Sequence, residues 1–305
     1  MVSISYIYTL MKQYSLVWDE NGTDPAAYLQ IPLMQQVQYL LNQGQKLVFI
    51  LPAFPAKSPN RNKTLGDLPD YAEVLALQNL QSLCDKISEV YTPGCELIIC
   101  SDGRVFSDVV QVSDAKIDQY NDEVMSIINE YGLRSLQVFR MDDIYPNYTP
   151  DELRNFLLDV YARDLSEVKD QVKTDESFAK LFNGIHRFLS EDEKALHPEL
   201  SRSSVEKRSK VKAYELIRRS EAWSMLLKDH FPNTARLSIH PHGIQSEKFG
   251  IKLVPSSDKW ATPWHNVVVK EKDQFQLMHR SEALKRNAQL FLERGKYGYF
   301  EIAAV

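Results

Sequence analysis

The first half of the chain alternates short, wholly apolar runs with longer stretches whose apolar residues recur at helical spacing, and few architectures accept that alternation. Lys46–Ala53 (KLVFILPA), Glu96–Cys100 (ELIIC) and Leu136–Arg140 (LQVFR) read as buried strands. Pro52 and Pro55 end the first of them. Between the first two strands, Leu68, Ala72, Leu75, Leu83, Ile87 and Tyr91 mark one face of a helix, with Asp67 as cap and Pro69 in its first turn. Between the second and third, Ile117, Tyr120, Val124, Ile127, Ile128 and Tyr131 mark another, opened by Asp114 and closed by Gly132. Strands fully buried on both faces and separated by helices predict a Rossmann-like α/β fold, a mostly parallel sheet flanked by helices. Ligands in such sheets bind beyond the carboxyl ends of the strands. Here those ends are residues 52–63, 101–108 and 140–145.

The remainder elaborates that core. Thr149–Glu152 and Ser190–Glu193 match capping boxes, and a long helix is predicted over residues 203–229. Strands are expected over Arg236–Ile239, Phe249–Val254, Asn266–Val269 and Tyr297–Ala303, with a helix over Ser281–Arg294. With no repeat or long linker, residues 1–305 read as a single domain. A Rossmann-like half covers about 26–148, a helical insertion 149–230, and a strand-rich completion 231–305.

Composition narrows the function. Lys plus Arg number 36 against 41 Asp plus Glu, a net charge of −5. A general nucleic-acid binder needs a basic excess and is not expected. No apolar run approaches the ~18 residues of a membrane helix, and no leader pattern opens the chain, so a cytoplasmic protein without membrane attachment is expected. Cys84, Cys95 and Cys100 form neither a disulfide framework nor a CxxC metal pattern.

Four segments carry chemistry. The Pro-, Asn- and Ser-rich stretch after the first strand holds Lys57, Arg61 and Lys63 within seven residues. Cations there suit an anionic ligand, and equally an ordinary solvated loop. Cys100–Asp108 (CSDGRVFSD) gathers Ser101, Asp102, Arg104, Ser107 and Asp108 around Gly103 at the second strand end. That density favours a site over a simple Asp-Gly turn. It contains no glycine-rich nucleotide motif. In Ile239-His-Pro-His-Gly243, His240 and His242 lie two apart and face one side of an extended segment. They suit proton transfer, packing, or a metal pair lacking a third ligand, and we expect no metal. In Thr262–Asn266 (TPWHN), Trp264 and His265 offer an aromatic wall and a polar lining, or simply core. The basic run from Arg202 to Arg219 reads as a solvated helix face or as a further wall of an anion site.

The stretches LPAFPAKSPNRNKTLGDLPDYAE, ICSDGRVFSDVV and IHPHG together resemble the isocyanide (isonitrile) synthases of the pyoverdine/dityrosine biosynthesis family. The resemblance runs from about Ala26 to Ala303 and is densest between Leu51 and Asp108. It implies an enzyme joining an aromatic L-amino acid, tyrosine favoured over tryptophan, to ribulose 5-phosphate. The amine becomes an isonitrile whose carbon comes from the sugar's ketone carbon. It implies no cofactor beyond that co-substrate, and a pathway partner of the Fe(II)/2-oxoglutarate oxygenase class. On this expectation Arg61, Lys63 and Arg104 clamp the phosphate, with Ser101, Trp264 and His265 completing the binding site. Lys57, Asp102, His240 and His242 are the candidates for proton transfer. A non-catalytic phosphosugar-binding protein is the alternative from another class.

Overall fold

In a computed structural model describing residues 3–16, 32–242 and 246–302, two sheets share one helical framework. Helices α1 (Ile4–Lys12) and α2 (Pro32–Asn42) precede β1 (Leu47–Pro52). Then come α3 (Tyr71–Val90), β2 (Cys95–Cys100), α4 (Gly103–Val110), α5 (Asp114–Glu130), β3 (Leu136–Phe139) and the single turn α6 (Met141–Ile144). Four helices follow: α7 (Pro150–Tyr161), α8 (Leu165–Thr174), α9 (Glu176–Leu196) and α10 (Arg202–His230). Strands β4 (Ala235–Ser238) and β5 (Lys248–Gly250) complete a sheet of order β3-β2-β1-β4-β5, parallel throughout.

The central strand β1 is buried along most of its length, which is why its sequence is a continuous apolar run rather than an alternation. One face of the sheet packs Phe49, Leu51, Leu97 and Ile99 against α3 and α5. The other packs Ile50 and Cys100 against α4, α7 and Trp223 of α10. The expected parallel sheet with helices on both faces is therefore what the chain forms.

The second sheet has order β7-β6-β9-β8. Strand β6 (Val267–Glu271) pairs antiparallel with β7 (Gln274–Met278) and parallel with β9 (Tyr297–Ile302), which pairs antiparallel with β8 (Gln289–Glu293). Here the sequence misleads. The helix expected over Ser281–Arg294 is only α11 (Arg280–Lys285), because Asn287 turns into the left-handed region (φ 56°) and Gln289–Glu293 goes on as strand. The β6–β7 hairpin turns through Lys272 at φ 56°. Lys-Asp lacks the Asn-Gly signature that announces such a turn, so β7 was not anticipated.

Three helix boundaries also differ from expectation. Helix α3 starts at Tyr71, capped by Asp70 rather than Asp67. Asp70 Oδ1 accepts from Ala72 N–H and Glu73 Oε2 accepts from Asp70 N–H, both at 2.9 Å. Ser190–Glu193 opens no helix, since α9 is already running from its cap at Asp175. Cys100–Asp108 is not an open loop: α4 begins at Gly103. Gly103 is needed there because a Cβ would lie 1.9 Å from the Pro55 carbonyl oxygen. The glycine admits a crossing of backbones, not a close ligand. The strand expected over Phe249–Val254 is the shorter β5.

Candidate active site

Beyond the carboxyl ends of β1, β2 and β4 lies a cavity of about 300 Å³. The 52–59 loop and the start of α4 form its floor, α9 one wall, and the segments around residues 256–266 and 277–282 the rest. Apolar surface comes from Phe106, Ile185, Phe188, Leu216, Trp260 and Trp264. A cavity that combines apolar and aromatic walls with numerous polar side chains, at the strand ends of a parallel sheet, has the form of a small-molecule site.

Asp102 is the group in this cavity with most chemical freedom. It stands at the N-cap of α4 but its side chain makes no capping bond, and its Oδ1 is buried without a hydrogen-bond partner. Burial pushes its carboxyl up to about 7, against smaller opposing pulls from a backbone hydrogen bond and Arg236. A carboxyl that exchanges its proton near neutrality is suited to acid–base work.

His240 lines the same cavity, 5.2 Å from the Trp260 ring. Burial pushes its imidazole down to about 3, so the ring is neutral. His265 is neutral for the same reason. Its Nδ1 lies 3.2 Å from Thr262 Oγ1 and its ring 4.7 Å from Phe188. Trp264 packs against Phe54 (5.4 Å between centroids), and together with His265 it sits on one 3₁₀ turn that the Pro263 ring preorganises. Phe54 itself is held at φ 59°, a strained setting for an aromatic residue that sequence did not flag. Its carbonyl lies 3.1 Å from the hydroxyl of Ser101, which is also 2.7 Å from Asn121 Oδ1. Ser101 thus ties the two strand-end loops together and does not line the cavity.

The cations are placed differently from expectation. Lys57 is fully buried, and its ammonium meets the Pro263 carbonyl at 3.0 Å, Asp70 at 2.9 Å and Glu73 at 2.8 Å. Burial alone would lower its pKa, but the two carboxylates outweigh this and raise it. With its three N–H groups engaged it has no lone pair to accept a proton or form a Schiff base. It welds the loop after β1 to the capping box of α3. Lys63 lines the cavity but is paired with Glu191 and Asp192, each at 2.8 Å. Asp192 also accepts from Ser58 and Asn60, so this network anchors the loop to α9. Arg61 is exposed and paired with Asp67 at 2.6 Å. Arg104 faces away from the cavity wall, bridging Asp114, Asp118 and Asp142 and so joining α4 to α5 and α6. Arg61 and Arg104 are not brought to the cavity, and the three-cation clamp is not assembled. The basic run of α10 is partly spent on similar work, as Arg219 forks onto Asp108. His242 likewise lies off the cavity lining, between the hydroxyls of Ser238 (3.0 Å) and Ser246 (3.2 Å). The structure separates the places of the two histidines.

Trp260 was missed by the sequence reading, as was the glycine opposite it. A Cβ at Gly184 would come within 3.1 Å of the Trp260 indole, so a side chain there would have to push the ring back by a few tenths of an ångström. A lone glycine inside an otherwise helical stretch was the available signal.

Comparison with known proteins agrees with the architecture. The profile of the DIT1_PvcA family, described as pyoverdine/dityrosine biosynthesis protein, matches residues 37–291. The L-tryptophan isonitrile synthase AmbI2 of Fischerella ambigua is 43% identical over 276 residues, covering 90% of this chain and 84% of that protein. An L-tyrosine isonitrile synthase of Pseudomonas aeruginosa is 39% identical over 275 residues, covering 89% and 84%. The crystal structure of the PvcA protein from Pseudomonas aeruginosa superposes with a TM-score of 0.91 at 35% identity, covering 98% of this chain and all of that one.

Proposed function

The chain belongs to the pyoverdine/dityrosine biosynthesis family, and from that premise we propose that it is an isonitrile synthase. In this reading it joins the amine of an aromatic L-amino acid to ribulose 5-phosphate, a transferase-type reaction whose isonitrile carbon comes from the sugar's ketone carbon. The observation that carries it is the Asp102 carboxyl, whose buried Oδ1 has no hydrogen-bond partner, inside an aromatic-walled cavity.

The chemistry suits that carboxyl. As a carboxylate, Asp102 takes a proton from the substrate ammonium and frees the amine to attack the ketone. As the neutral acid, it returns that proton to the carbinolamine oxygen, which leaves as water. Neutral His240 orients the intermediate as a hydrogen-bonding group without adding charge. The later carbon–carbon cleavage develops anionic oxygen, which a desolvated site with fixed donors stabilises. Tyrosine is the preferred amino acid, because Ser256, His279 and Glu282 line the cavity and a phenol hydroxyl both donates and accepts. No metal or organic cofactor is required, and an Fe(II)/2-oxoglutarate oxygenase is the proposed pathway partner.

The test is to supply the purified protein with ribulose 5-phosphate and each aromatic amino acid in turn. The isonitrile is then sought by mass and infrared absorption. Product with tyrosine supports the reading. Tight binding of the sugar phosphate with no product from any amino acid would favour a binding protein instead.

A further inference from the structure

Strands β4 and β5 carry two cations that nothing above employs. Arg236 stands in parallel register with Lys248, and Ser238 with Gly250. Residues two apart on a strand share a face, so Arg236, Ser238 and Lys248 form one polar row. That row is on the α10 side of the sheet, where an Arg236 N–H reaches Ser224 Oγ at 3.4 Å.

This row lacks counter-ions. Arg236 and Lys248 have no carboxylate within 4.0 Å among the described residues, and Arg236 Nε is buried with no hydrogen-bond partner. The acidic groups facing them are Cys100, whose thiol is pushed up to about 12 by burial, and Asp102, Glu221 and Glu247. Glu221 is forked onto Arg163 at 2.9 Å through both oxygens. Asp102 is the carboxyl that burial drives toward its neutral form. Burial, and then the cations' mutual repulsion, lowers Lys248 to about 8. Unpaired, partly desolvated cations held side by side are costly unless an anion completes the group. The row also adjoins the cavity: Ile239 and His240, which follow Ser238, line it, as do Asp102 and Ser220.

We propose that Arg236 and Lys248 form the binding site for the phosphate monoester of the sugar substrate. Arginine supplies a planar fork for two phosphate oxygens and lysine a point charge. His242, fixed between Ser238 and Ser246, is a positioning residue at its edge. A phosphate held there directs the sugar chain past Asp102, the cavity-lining neighbour of Arg236. This assignment rests on the sugar-phosphate part of the proposed function and takes the place of the Arg61/Lys63/Arg104 clamp.

The test uses the intact protein with inorganic phosphate and ribulose 5-phosphate as probes, by calorimetry. Arg236→Met and Lys248→Met should each weaken both probes roughly 10- to 150-fold and leave tyrosine affinity within about twofold. Arg236→Lys and Lys248→Arg, which keep the charge, should recover much of the loss. Arg104→Ala should bind both probes like the parent. If Arg236→Met fails to fold, Lys248→Met at the sheet edge decides alone. Unchanged phosphate binding in the Met variants, or equal loss of tyrosine binding, overturns the site. If the parent makes isonitrile while these variants keep the parental KM for ribulose 5-phosphate, the site is wrong and the enzyme reading stands. If phosphate binds through Arg236 but no amino acid is turned over, the site stands and the enzyme reading fails.

Discussion

Replacing Asp102 by asparagine separates catalysis from folding in a way few other positions here allow. The side chain keeps its shape and loses its titration. Burial raises the Asp102 carboxyl from its ordinary value of 3.8 to about 7. Each unit is worth 1.36 kcal/mol, so an ionised Asp102 costs the fold up to about 4 kcal/mol, less whatever solvent reaching the cavity screens. The sign follows from a folded-state pKa above the unfolded one. The stability this group contributes is complete below about pH 4 and is lost as pH rises to about 7. Asp102→Asn should therefore unfold like the parent at pH 4 and be more stable than it at pH 8. Urea unfolding at the two pH values measures this. Turnover should fall by about 10²–10⁴, the usual contribution of general acid–base catalysis. A variant that loses activity and is also less stable at pH 8 would refute the reasoning, because the carboxylate would then be a structural anchor. Near-full activity would refute it equally.

Other outcomes follow from the same geometry. Lys57→Met leaves Asp70 and Glu73 buried without their cation and should lower stability by about 3–5 kcal/mol in urea unfolding. Gly103→Ala forces a methyl onto the Pro55 carbonyl and should cost about 1–3 kcal/mol or more, read from the unfolding midpoint. Arg104→Ala should leave the KM for ribulose 5-phosphate unchanged while loosening the α4–α5 contact, seen as a lowered thermal midpoint. Turnover should survive exhaustive chelation. Activity lost on chelation and restored by one divalent metal would contradict the cofactor-free reading.

The strands of the parallel sheet were legible because a doubly buried strand must be an apolar run, and Pro52 marks where the central one stops. The place of the cavity at their carboxyl ends was legible for the same reason. Several of its lining residues (Lys57, Lys63, Asp102, His240, Trp264 and His265) were legible too, but which cations remain unpaired was not. Lys57, Arg61, Lys63 and Arg104 all sit where an anion clamp would, yet each is paired with acids: Asp70 and Glu73, Asp67 of the same loop, Glu191 and Asp192 of α9, and Asp118 and Asp142. Local sequence counts charges, while the fold decides which of them pair, whether with a neighbour in the same loop or with a distant helix. Conversely, Arg236 and Lys248 lie in unremarkable strand segments, and only the β4–β5 register sets them side by side. Asp102 was identifiable by its place after an apolar strand, but its missing capping bond shows only in three dimensions.

The central claim is tested most directly by following the carbon. Ribulose 5-phosphate labelled with ¹³C at its ketone carbon is incubated with the protein and tyrosine, and the product is analysed by mass and carbon NMR. The account predicts a tyrosine isonitrile carrying the label at the isonitrile carbon. An unlabelled isonitrile, or unchanged tyrosine beside a folded protein that binds both substrates, would contradict it.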